Sequence, residues 1–345
     1  MSAASLRHLL VTGGAGFIGS AFVRQRLATD PDLRITVLDK LTYAGSLENL
    51  AEATDNPRFA FIQGDICDRA AVDRVAKDVD AIVNFAAESH VDRSLLEAGD
   101  FVQTDVGGTH VLLEAARRYE HQRFLQVSTD EVYGHVAKGR SREDDTLAPR
   151  SPYSATKAGA EMLVHAYHVS FGVPTLVTRG SNTYGPYQFP EKIIPLFITN
   201  ALQDLPLPIY GDGSAVRDYL YVEDHVSAIA TVLRNGEPGR AYNVGAGAEV
   251  SGLTVADTVL EFCGKPSSLK QFVKDRPGHD YRYALEVDRI RPLGWQSRIS
   301  FRDGMQLTVD WYQKHDAWWR RRKETDFWTY YRRNYQGLPS GAIPT

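Results

Sequence analysis

Thr12-Gly13-Gly14-Ala15-Gly16-Phe17-Ile18-Gly19 is a glycine-rich stretch from which the fold of this chain can be inferred. Its glycines fit two overlapping fingerprints, G-x-G-x-x-G from Gly14 and G-x-x-G-x-x-G from Gly13. A short apolar run precedes the stretch and a helical pattern follows it. Because glycines permit a tight turn and let backbone N–H groups approach a pyrophosphate at a helix N-terminus, the stretch predicts a dinucleotide site between a first strand and its helix.

The segments around this turn alternate apolar strands with helical patterns. The predicted strands are His8–Thr12, Arg34–Asp39, Phe59–Gln63, Ala81–Ala86, Arg123–Ser128 and Pro174–Arg179. The predicted helices are Ser20–Ala28, Phe101–Tyr119 and Tyr153–Phe171. Such alternation favours parallel βαβ units, so the predicted fold class is α/β, with a Rossmann-type doubly wound parallel sheet.

The character of the chain changes after Asn182, where prolines become frequent and strands short. We therefore predict a Rossmann domain over residues 1–180 and a smaller α+β C-terminal lobe over residues 181–345. The boundary is not expected to be clean, because Ala241–Val244 reads as a buried strand that returns to the main sheet near 241–244.

An acidic residue, Asp39, ends the second predicted strand, about 20 residues after the last glycine of the turn. A carboxylate there accepts hydrogen bonds from the adenosine ribose and repels a 2′-phosphate, so it predicts NAD rather than NADP. Asp65-Ile66, after the third strand, is placed to meet the adenine. The predicted cofactor contacts are Gly13, Gly16, Phe17, Ile18, Gly19, Asp39, Asp65, Ile66, Ala86, Tyr153 and Lys157.

Composition narrows the class of function. The 345 residues carry a formal net charge of −4, which offers no general field for nucleic acid or an anionic membrane. Two cysteines, Cys67 and Cys263, have no metal-ligand spacing, and no metal site is predicted. The short polar N-terminus does not resemble a signal peptide and no apolar run approaches the ~20 residues of a membrane span, so we expect a cytoplasmic protein.

Tyr153-Ser154-Ala155-Thr156-Lys157 is a Y-x-x-x-K motif. Residues i and i+4 share one helix face, and an ammonium beside a phenol is expected to lower the pKa of that phenol. Tyr153 is therefore predicted to act as a general base that takes a proton from a hydroxyl group, with Lys157 adjusting its pKa.

Two adjacent carboxylates, Asp130 and Glu131, follow the fifth predicted strand at the sheet edge where open α/β folds bind ligands. Oxidation of an alcohol needs one base, which Tyr153 provides. An additional acid–base pair indicates a second proton-transfer step, and elimination of water needs such a pair.

Together these motifs resemble the nucleotide-sugar 4,6-dehydratases. The resemblance extends over residues 8–283 through Thr12–Gly19, Ala86–Ser94, Ser128–Gly134, Tyr153–Lys157, Asn182–Gln188, Pro190–Pro195, Tyr210–Gly213, Arg217-Asp218 and Arg276–Tyr283. Thr129-Asp130-Glu131 is its specific part, because related epimerases usually lack the Asp-Glu pair and related decarboxylases and GDP-mannose dehydratases usually have Thr-Ser-Glu. The segment Gly180–Gly185 departs from the common Cys-Ser-Asn-Asn-Tyr-Gly pattern, so Gly180 and Thr183 are not included among the candidate residues.

The resemblance implies a role for each catalytic candidate. Tyr153 drives oxidation at sugar C4 with the help of Lys157, and Thr129 hydrogen-bonds the 4-oxygen. Glu131 removes the C5 proton and later returns it, and Asp130 protonates the departing C6 hydroxyl. NAD is regenerated, so net redox is zero and the product of a nucleotide-activated glucose, dTDP-glucose, is the 4-keto-6-deoxy sugar nucleotide.

The resemblance also implies a substrate lobe and an assembly. The candidate nucleotide-sugar contacts are Ser89, Thr129, Asn182, Lys192, Arg217, Asn243, Arg276, His279 and Tyr283. A homodimer is expected, in which the two long helices of each subunit form a four-helix bundle.

Other interpretations remain open at this point. A sugar-nucleotide 4-epimerase or decarboxylase, a UDP-glucose 4,6-dehydratase and a non-catalytic NAD-binding regulator share much of this pattern. The basic aromatic segment Trp318–Lys323, with Tyr330–Arg333 beyond it, could bind nucleic acid. We favour C-terminal helices whose aromatic side chains pack on the lobe, and therefore expect no nucleic-acid partner.

Overall fold

A computed structural model describes residues 6–275, 280–324 and 326–335. The strands are β1 (His8–Thr12), β2 (Arg34–Asp39), β3 (Phe59–Gln63), β4 (Ala81–Asn84), β5 (Arg123–Thr129), β6 (Thr175–Gly180), β7 (Asn182–Tyr184), β8 (Leu207–Tyr210), β9 (Val216–Tyr221), β10 (Ala241–Val244), β11 (Glu249–Ser251) and β12 (Lys270–Val273). The predicted strand positions are confirmed to within two residues at either end.

The α-helices are α1 (Phe17–Thr29), α2 (Arg69–Ala76), α3 (Val91–Ser94), α4 (Gly99–Phe101), α5 (Thr109–Arg118), α6 (Pro152–Phe171), α7 (Ile193–Leu202), α8 (Val222–Asn235), α9 (Gly252–Cys263), α10 (Phe301–Lys314), α11 (Asp316–Arg322) and α12 (Asp326–Asn334). Short 3₁₀ helices include Leu47–Ala53 and Asp130–Tyr133. None of the helices in the described part of the chain combines the length and apolar character that a membrane span needs.

Seven parallel strands form the central sheet, in the order β10-β6-β5-β4-β1-β2-β3. Alternation along β1 explains why both faces are covered. Leu9 and Val11 pack towards α1 and α8, while Leu10 packs towards α2, α5 and α6. The strand order reverses direction between β1 and β4, and this switch point is where an open α/β sheet binds its ligand. The predicted doubly wound α/β sheet is confirmed.

The C-terminal lobe has its own core. The three-stranded sheet β11-β9-β7 and the pair β12-β8 pack with α7, α9 and α10 around aromatic side chains that include Tyr184, Phe197 and Trp319. The chain crosses between the two parts more than once. After entering the C-terminal lobe it returns to the central sheet, where α8 packs on the sheet and β10 pairs with β6 as the edge strand. The division into residues 1–180 and 181–345 stays a prediction.

The predicted continuous helix Phe101–Tyr119 is wrong in its middle, where Val102–Gly108 forms a π-helix between α4 and α5. Contacts with other parts of the chain accompany the wider turn. Asp105 accepts hydrogen bonds from the Thr156 hydroxyl at 2.8 Å and from the Glu88 backbone N–H at 3.0 Å. Gly108 lies so close to Ile66 that a Cβ at this position would be 2.4 Å from the Ile66 Cδ1 atom. π-Helical turns are frequent at functional sites.

Candidate active site

A cavity of about 310 Å³ opens at the carboxyl ends of the central strands, at the switch point between β1 and β4. All the predicted catalytic and cofactor residues line it: Gly13, Gly16, Phe17, Ile18, Gly19, Asp39, Asp65, Ile66, Ala86, Thr129, Asp130, Glu131, Tyr153 and Lys157. Residues separated by more than a hundred positions in sequence therefore share one site.

The glycine-rich turn is tightly packed against its neighbours. Gly13 has a φ of +66°, and a Cβ there would lie 2.5 Å from the Ala86 backbone nitrogen. A Cβ on Gly19 would lie 2.3 Å from the Gly13 carbonyl oxygen. No side chain fits at either position, so only glycine permits this close packing of the turn. The N-terminus of α1 lines the cavity beside it.

Asp39 stabilises the turn as well as lining the cavity. Its carboxylate accepts the Ala15 N–H at 2.8 Å and the Leu41 N–H at 2.8 Å. Burial raises the pKa of Asp39, while these two backbone hydrogen bonds lower it. The residue predicted to select the ribose thus also joins the end of β2 to the turn after β1.

The end of the cavity beside Asp39 is polar at its rim and apolar beneath. Lys40 forms an ion pair with Asp65 at 2.7 Å, and the Asp65 carboxylate accepts the Cys67 N–H at 2.9 Å. Desolvation raises the pKa of Asp65, but Lys40 and the Cys67 N–H lower it to below its usual value overall. Ile66 is buried and packs on Gly108 of the π-helix.

The Tyr153–Lys157 pair lies on the first turns of α6, and local sequence explains where that helix starts. Ser151 caps it by accepting the Ser154 N–H at 3.1 Å, and Pro152 occupies the first turn. Lys157 is buried, and its ammonium donates to the Val127 carbonyl oxygen of β5 at 2.7 Å. This bond fixes the lysine between α6 and the sheet.

The protonation of Tyr153 differs from the sequence-based expectation. Desolvation raises the pKa of Tyr153 well above its usual value, and the charges of Glu131, Asp105 and Asp130 raise it further. A hydrogen bond with Thr129 lowers it. The expected lowering of the Tyr153 pKa by Lys157 is therefore absent, because burial raises this pKa most and the three carboxylates add to that effect.

Asp130 and Glu131 begin a 3₁₀ turn directly after β5. Thr129 caps this turn by accepting the Glu131 N–H at 3.2 Å, and its hydroxyl donates to Asp130 at 3.2 Å. Asp130 is only 2% exposed. Burial and then the neighbouring Glu131 raise its pKa well above the usual value, while Arg217 lowers it. The surroundings of Asp130 thus favour its protonated carboxyl, which is the form that can donate a proton.

Asp105 is a site residue that the sequence did not indicate. It bridges the Glu88 backbone and Thr156, next to Lys157, and burial raises its pKa to about 6 while Lys157 lowers it. A continuous helical pattern through this region gave no signal for it, since only the π-helix turns Asp105 towards α6.

Several buried polar atoms around the cavity have no partner within the protein. Among the described residues, these include the side chains of Ser128, Asp130, Ser181, Asn182, Gln188 and His225, all of which line it. Such concentration indicates a ligand-binding wall, because unpaired buried polar atoms are costly in a folded protein. Of these, the sequence candidates included Asp130 and Asn182 alone.

His225 shows why Gly180 matters. A Cβ on Gly180 would lie 2.6 Å from the imidazole, and the Thr183 hydroxyl is 2.7 Å from His225 Nδ1. Burial lowers the pKa of His225 to about 4, so the ring is neutral. Gly180 and Thr183, which the sequence comparison set aside, therefore line the cavity together with His225.

The predicted substrate residues divide into two groups. Ser89, Thr129, Asn182 and Lys192 line the cavity, and the Lys192 ammonium donates to the Ser89 carbonyl oxygen at 2.6 Å. Arg217 and Tyr283 lie behind the acid pair instead. The Arg217 guanidinium is 4.6 Å from the centre of the Tyr283 ring and donates to the Asp280 carbonyl oxygen at 2.6 Å.

The structure does not place Asn243, a predicted substrate contact, among the residues that line the cavity. It is fully buried and its amide donates to the Ser141 and Glu286 carbonyl oxygens, at 2.9 Å each, while its oxygen accepts the Tyr133 hydroxyl at 2.8 Å. These bonds join β10 to two neighbouring segments and leave no group for a substrate. The candidates Arg276 and His279 lie outside the described residues.

The sheet, the glycine-rich turn with Asp39, and the pairing of Tyr153 with Lys157 define a dinucleotide-dependent enzyme fold of the short-chain dehydrogenase/reductase class. Within that class the chain belongs to the GDP-mannose 4,6 dehydratase family, which residues 10–308 match.

Three relatives illustrate the similarity. The Low-salt glycan biosynthesis protein Agl12 of Haloferax volcanii is 53% identical, with 89% of this chain and 99% of the relative covered. The dTDP-glucose 4,6-dehydratase of an Actinoplanes species is 49% identical over 90% of this chain and 99% of its own. The crystal structure of DesIV, the dTDP-glucose 4,6-dehydratase of Streptomyces venezuelae with NAD bound, superposes with a TM-score of 0.90 at 47% identity, covering 92% of this chain and 100% of that one.

Proposed function

We propose that this chain is an NAD-dependent dTDP-glucose 4,6-dehydratase, a hydro-lyase that forms the 4-keto-6-deoxy sugar nucleotide. One observation carries the proposal. Asp130, whose surroundings raise its pKa, lines the same cavity as Glu131, the Tyr153–Lys157 pair and the glycine-rich turn. Relatives named dTDP-glucose 4,6-dehydratase at 45–51% identity support this choice of substrate over GDP-mannose.

The residues fit NAD as a resident cofactor. The turn Gly13–Gly19 leaves the N-terminus of α1 open to a pyrophosphate, and Asp39 lies at the end of β2, where a ribose would be bound. Unpaired polar atoms of Ser128, Ser181 and His225 occupy the opposite part of the cavity wall. When bound, NAD would supply the redox chemistry by accepting hydrogen from sugar C4 and returning it to C6.

The protein groups supply the proton transfers. Tyr153 takes the proton of the C4 hydroxyl as a phenolate, a form that the charges of Lys157 and of bound NAD would favour against the burial and carboxylates that raise its pKa. Thr129, which hydrogen-bonds Tyr153, orients the same oxygen. The C4 ketone acidifies C5, from which Glu131 removes a proton. Asp130 donates its proton to the C6 hydroxyl, which leaves as water, and Glu131 afterwards returns a proton to C5. A general acid or base of this kind typically contributes about 10²–10⁴-fold to the rate.

The competing functions use fewer of these groups. A 4-epimerase oxidises and reduces the same carbon and needs no acid for a leaving hydroxyl, so the raised pKa of Asp130 favours the dehydratase. A non-catalytic NAD-binding regulator would need none of the catalytic residues, yet all of them line the cavity. A UDP-glucose 4,6-dehydratase shares this chemistry and differs only in the base of the nucleotide.

A homodimer completes the proposal. The helices α5 and α6 pack side by side, and the outer surfaces of α6 and the adjoining π-helix expose Met162, Val169 and Val102 at 52%, 68% and 54%. A second copy of the same pair of helices would cover these side chains in a four-helix bundle. We place the enzyme in the cytoplasm, and the free thiols of Cys67 and Cys263 are in accord with a reducing compartment.

An isotope experiment tests the reaction and its residues together. The protein is incubated with dTDP-glucose deuterated at C4, without added NAD. Mass spectrometry then locates the deuterium within the product. The wild type should give a 6-deoxy product with deuterium at C6. Glu131→Gln should still oxidise C4 and show bound NADH by absorbance, but eliminate about 10²–10⁴-fold more slowly. Tyr153→Phe should show neither signal.

Unlabelled C6, or NADH accumulating in proportion to product, would show a net dehydrogenase and end the proposal. Normal turnover by Glu131→Gln would remove its assignment as the C5 base and restore the epimerase. The same assay with UDP-glucose compares the two nucleotides, and faster turnover of UDP-glucose would transfer the activity to that substrate.

A further inference from the structure

The basic aromatic segment that includes α11 makes a buried polar contact with the dinucleotide half of the molecule. Trp318 of α11 is 6% exposed, and its indole N–H donates to the Asn49 side-chain oxygen at 3.2 Å. Asn49 belongs to the 3₁₀ helix Leu47–Ala53, which follows β2. The segment lies beyond residue 308, where the family match ends.

Asn49 connects this contact to the glycine-rich turn. It is 1% exposed, and its side-chain amide donates to the Ala15 carbonyl oxygen at 2.8 Å. Ala15 lies between Gly14 and Gly16, and its N–H donates to Asp39 at 2.8 Å. The peptide groups on both sides of Ala15 are therefore held, one by Asp39 and the other by Asn49 together with the Ser46 N–H, which donates to the same carbonyl oxygen at 3.1 Å.

The surrounding charges do not provide an equivalent link. Arg321 and Arg322 form ion pairs with Glu48 at 2.7 and 3.0 Å, but the Glu48 side chain is 45% exposed. Exposed pairs of this kind contribute little in water. The guanidinium of Arg322 is instead 3.8 Å from the Trp318 ring centre and covers the indole on its solvent side. The buried connection to the glycine-rich turn is the series of two hydrogen bonds from the Trp318 indole through the Asn49 amide to the Ala15 carbonyl oxygen.

We infer that Trp318 is a positioning residue for the dinucleotide, acting through Asn49 on the Ala15 peptide of the glycine-rich turn. An amide that both accepts and donates a buried hydrogen bond has one favoured rotamer, since reversing it would place its NH₂ group against the indole N–H. Trp318 thus fixes the orientation in which Asn49 can hold the turn. The inference rests on the proposed dinucleotide cofactor and extends it to a residue of the C-terminal lobe.

The neighbouring residue provides a matched control. Trp319 lies in the same helix, is 1% exposed, and donates its indole N–H to the Tyr312 carbonyl oxygen at 2.9 Å, within the lobe itself. Trp318→Phe and Trp319→Phe remove the same group from adjacent positions and keep an aromatic ring. Only the first change alters the series that reaches Ala15.

The experiment measures binding by calorimetry, after resident cofactor has been removed, with NAD and with ADP-ribose. Trp318→Phe should weaken both by about five-fold, the effect of one neutral hydrogen bond, and Trp319→Phe should change neither beyond about two-fold. The KM for dTDP-glucose at saturating NAD should stay unchanged in both variants. Asn49→Ala should weaken both ligands at least as much as Trp318→Phe.

The double variant separates positioning from general destabilisation. If Trp318 acts through Asn49, adding Trp318→Phe to Asn49→Ala should cause no further loss of ADP-ribose affinity. Additive losses, equal effects of the two tryptophan variants, or unchanged ligand binding in Trp318→Phe would each overturn the inference while leaving the dehydratase intact. A wild type that binds neither ligand would remove the proposed cofactor, and the inference with it.

Discussion

Asp130 shows how the environment of a single residue sets its role. Its carboxyl is buried beside Glu131, and one of its oxygens has no hydrogen-bond partner in the protein. Burial and the adjacent charge both favour the protonated form of Asp130, as a proton donor requires. The sequence shows two carboxylates side by side, but it could not show that burial raises the pKa of Asp130.

This arrangement predicts a conflict between activity and stability. Because the pKa of Asp130 is raised on folding, the wild type loses stability as pH rises from the unfolded value of about 4 towards the folded value. Asp130→Asn lacks that loss. It should be more stable than the wild type at neutral pH, nearly equal at about pH 4, and about 10²–10⁴-fold slower.

Thermal unfolding at a series of pH values, with turnover measured in parallel, checks this prediction. Asp145→Asn is a control, because it makes the same substitution at a carboxylate that is exposed to solvent. A constant stability difference between wild type and Asp130→Asn across pH would contradict the raised pKa. Unchanged turnover would contradict its role as an acid.

Other residues show where the sequence argument fails. The motif order indicates the Tyr153–Lys157 pair, but the pKa of the phenol depends first on burial and then on Glu131, Asp105 and Asp130, which the fold brings together. Asn243 looked like a substrate contact because of its order along the chain, and it is instead a buried bracing residue. Sequence patterns identify residue types, whereas partners depend on three-dimensional packing.

At the scale of elements, strands were easier to predict than the irregular helix. Buried parallel strands have continuous apolar sequences between turns, so β1, β2 and β3 match their predicted bounds. The π-helix Val102–Gly108 keeps a helical pattern, and its wider turn is accompanied by a contact with Thr156, on a helix about fifty residues away. Information of that kind is tertiary and absent from local periodicity.

Between α6 and β6 a buried ion pair joins helix to sheet. Glu161 and Arg179 approach to 2.7 Å with side chains 2% and 7% exposed, and Arg179 also donates to the Tyr133 hydroxyl at 2.6 Å. Removing one partner leaves an uncompensated buried charge, which costs far more than the pair contributes.

Arg179→Met should therefore lower the free energy of unfolding by about 3–5 kcal/mol, because Glu161 is left charged and buried. The double variant Arg179→Met/Glu161→Met should be more stable than Arg179→Met, although it contains an additional substitution. The measurement is urea unfolding of the wild type, Arg179→Met, Glu161→Met and the double variant. A double variant less stable than Arg179→Met would show that the carboxylate has another buried partner or is neutral.

At the scale of the whole molecule, the site depends on crossings between the two parts of the chain. Asp130 and Glu131 follow β5, whereas Lys192 and His225 come from beyond residue 180, and all line one cavity. The return of β10 to the sheet and the bonds from α11 to the 3₁₀ helix Leu47–Ala53 are further crossings. The division into residues 1–180 and 181–345 reflects the change in amino-acid composition along the chain, but it separates residues that contact one another in the fold.

The proposed dimer concerns the surface left by α6 and the adjoining π-helix. Exposed Met162 and Val169 are seven residues apart, so they lie on the same face of α6, two turns apart. Stable interfaces bury about 1,600 Å² in total and are depleted of charge at their centre. A glutamate at position 162 would have to be desolvated in the bundle, while in a monomer it would remain in water.

Met162→Glu should therefore convert the dimer to a monomer with little loss of monomer stability. Light scattering at micromolar concentration should give twice the 38.4 kDa chain mass for the wild type and the chain mass for the variant. Leu307→Glu is the matched control, because Leu307 is 47% exposed on α10, away from these helices, and should leave the dimer intact. A monomeric wild type would exclude the bundle. A dimer that Leu307→Glu disrupts and Met162→Glu does not would instead place the interface on the C-terminal lobe.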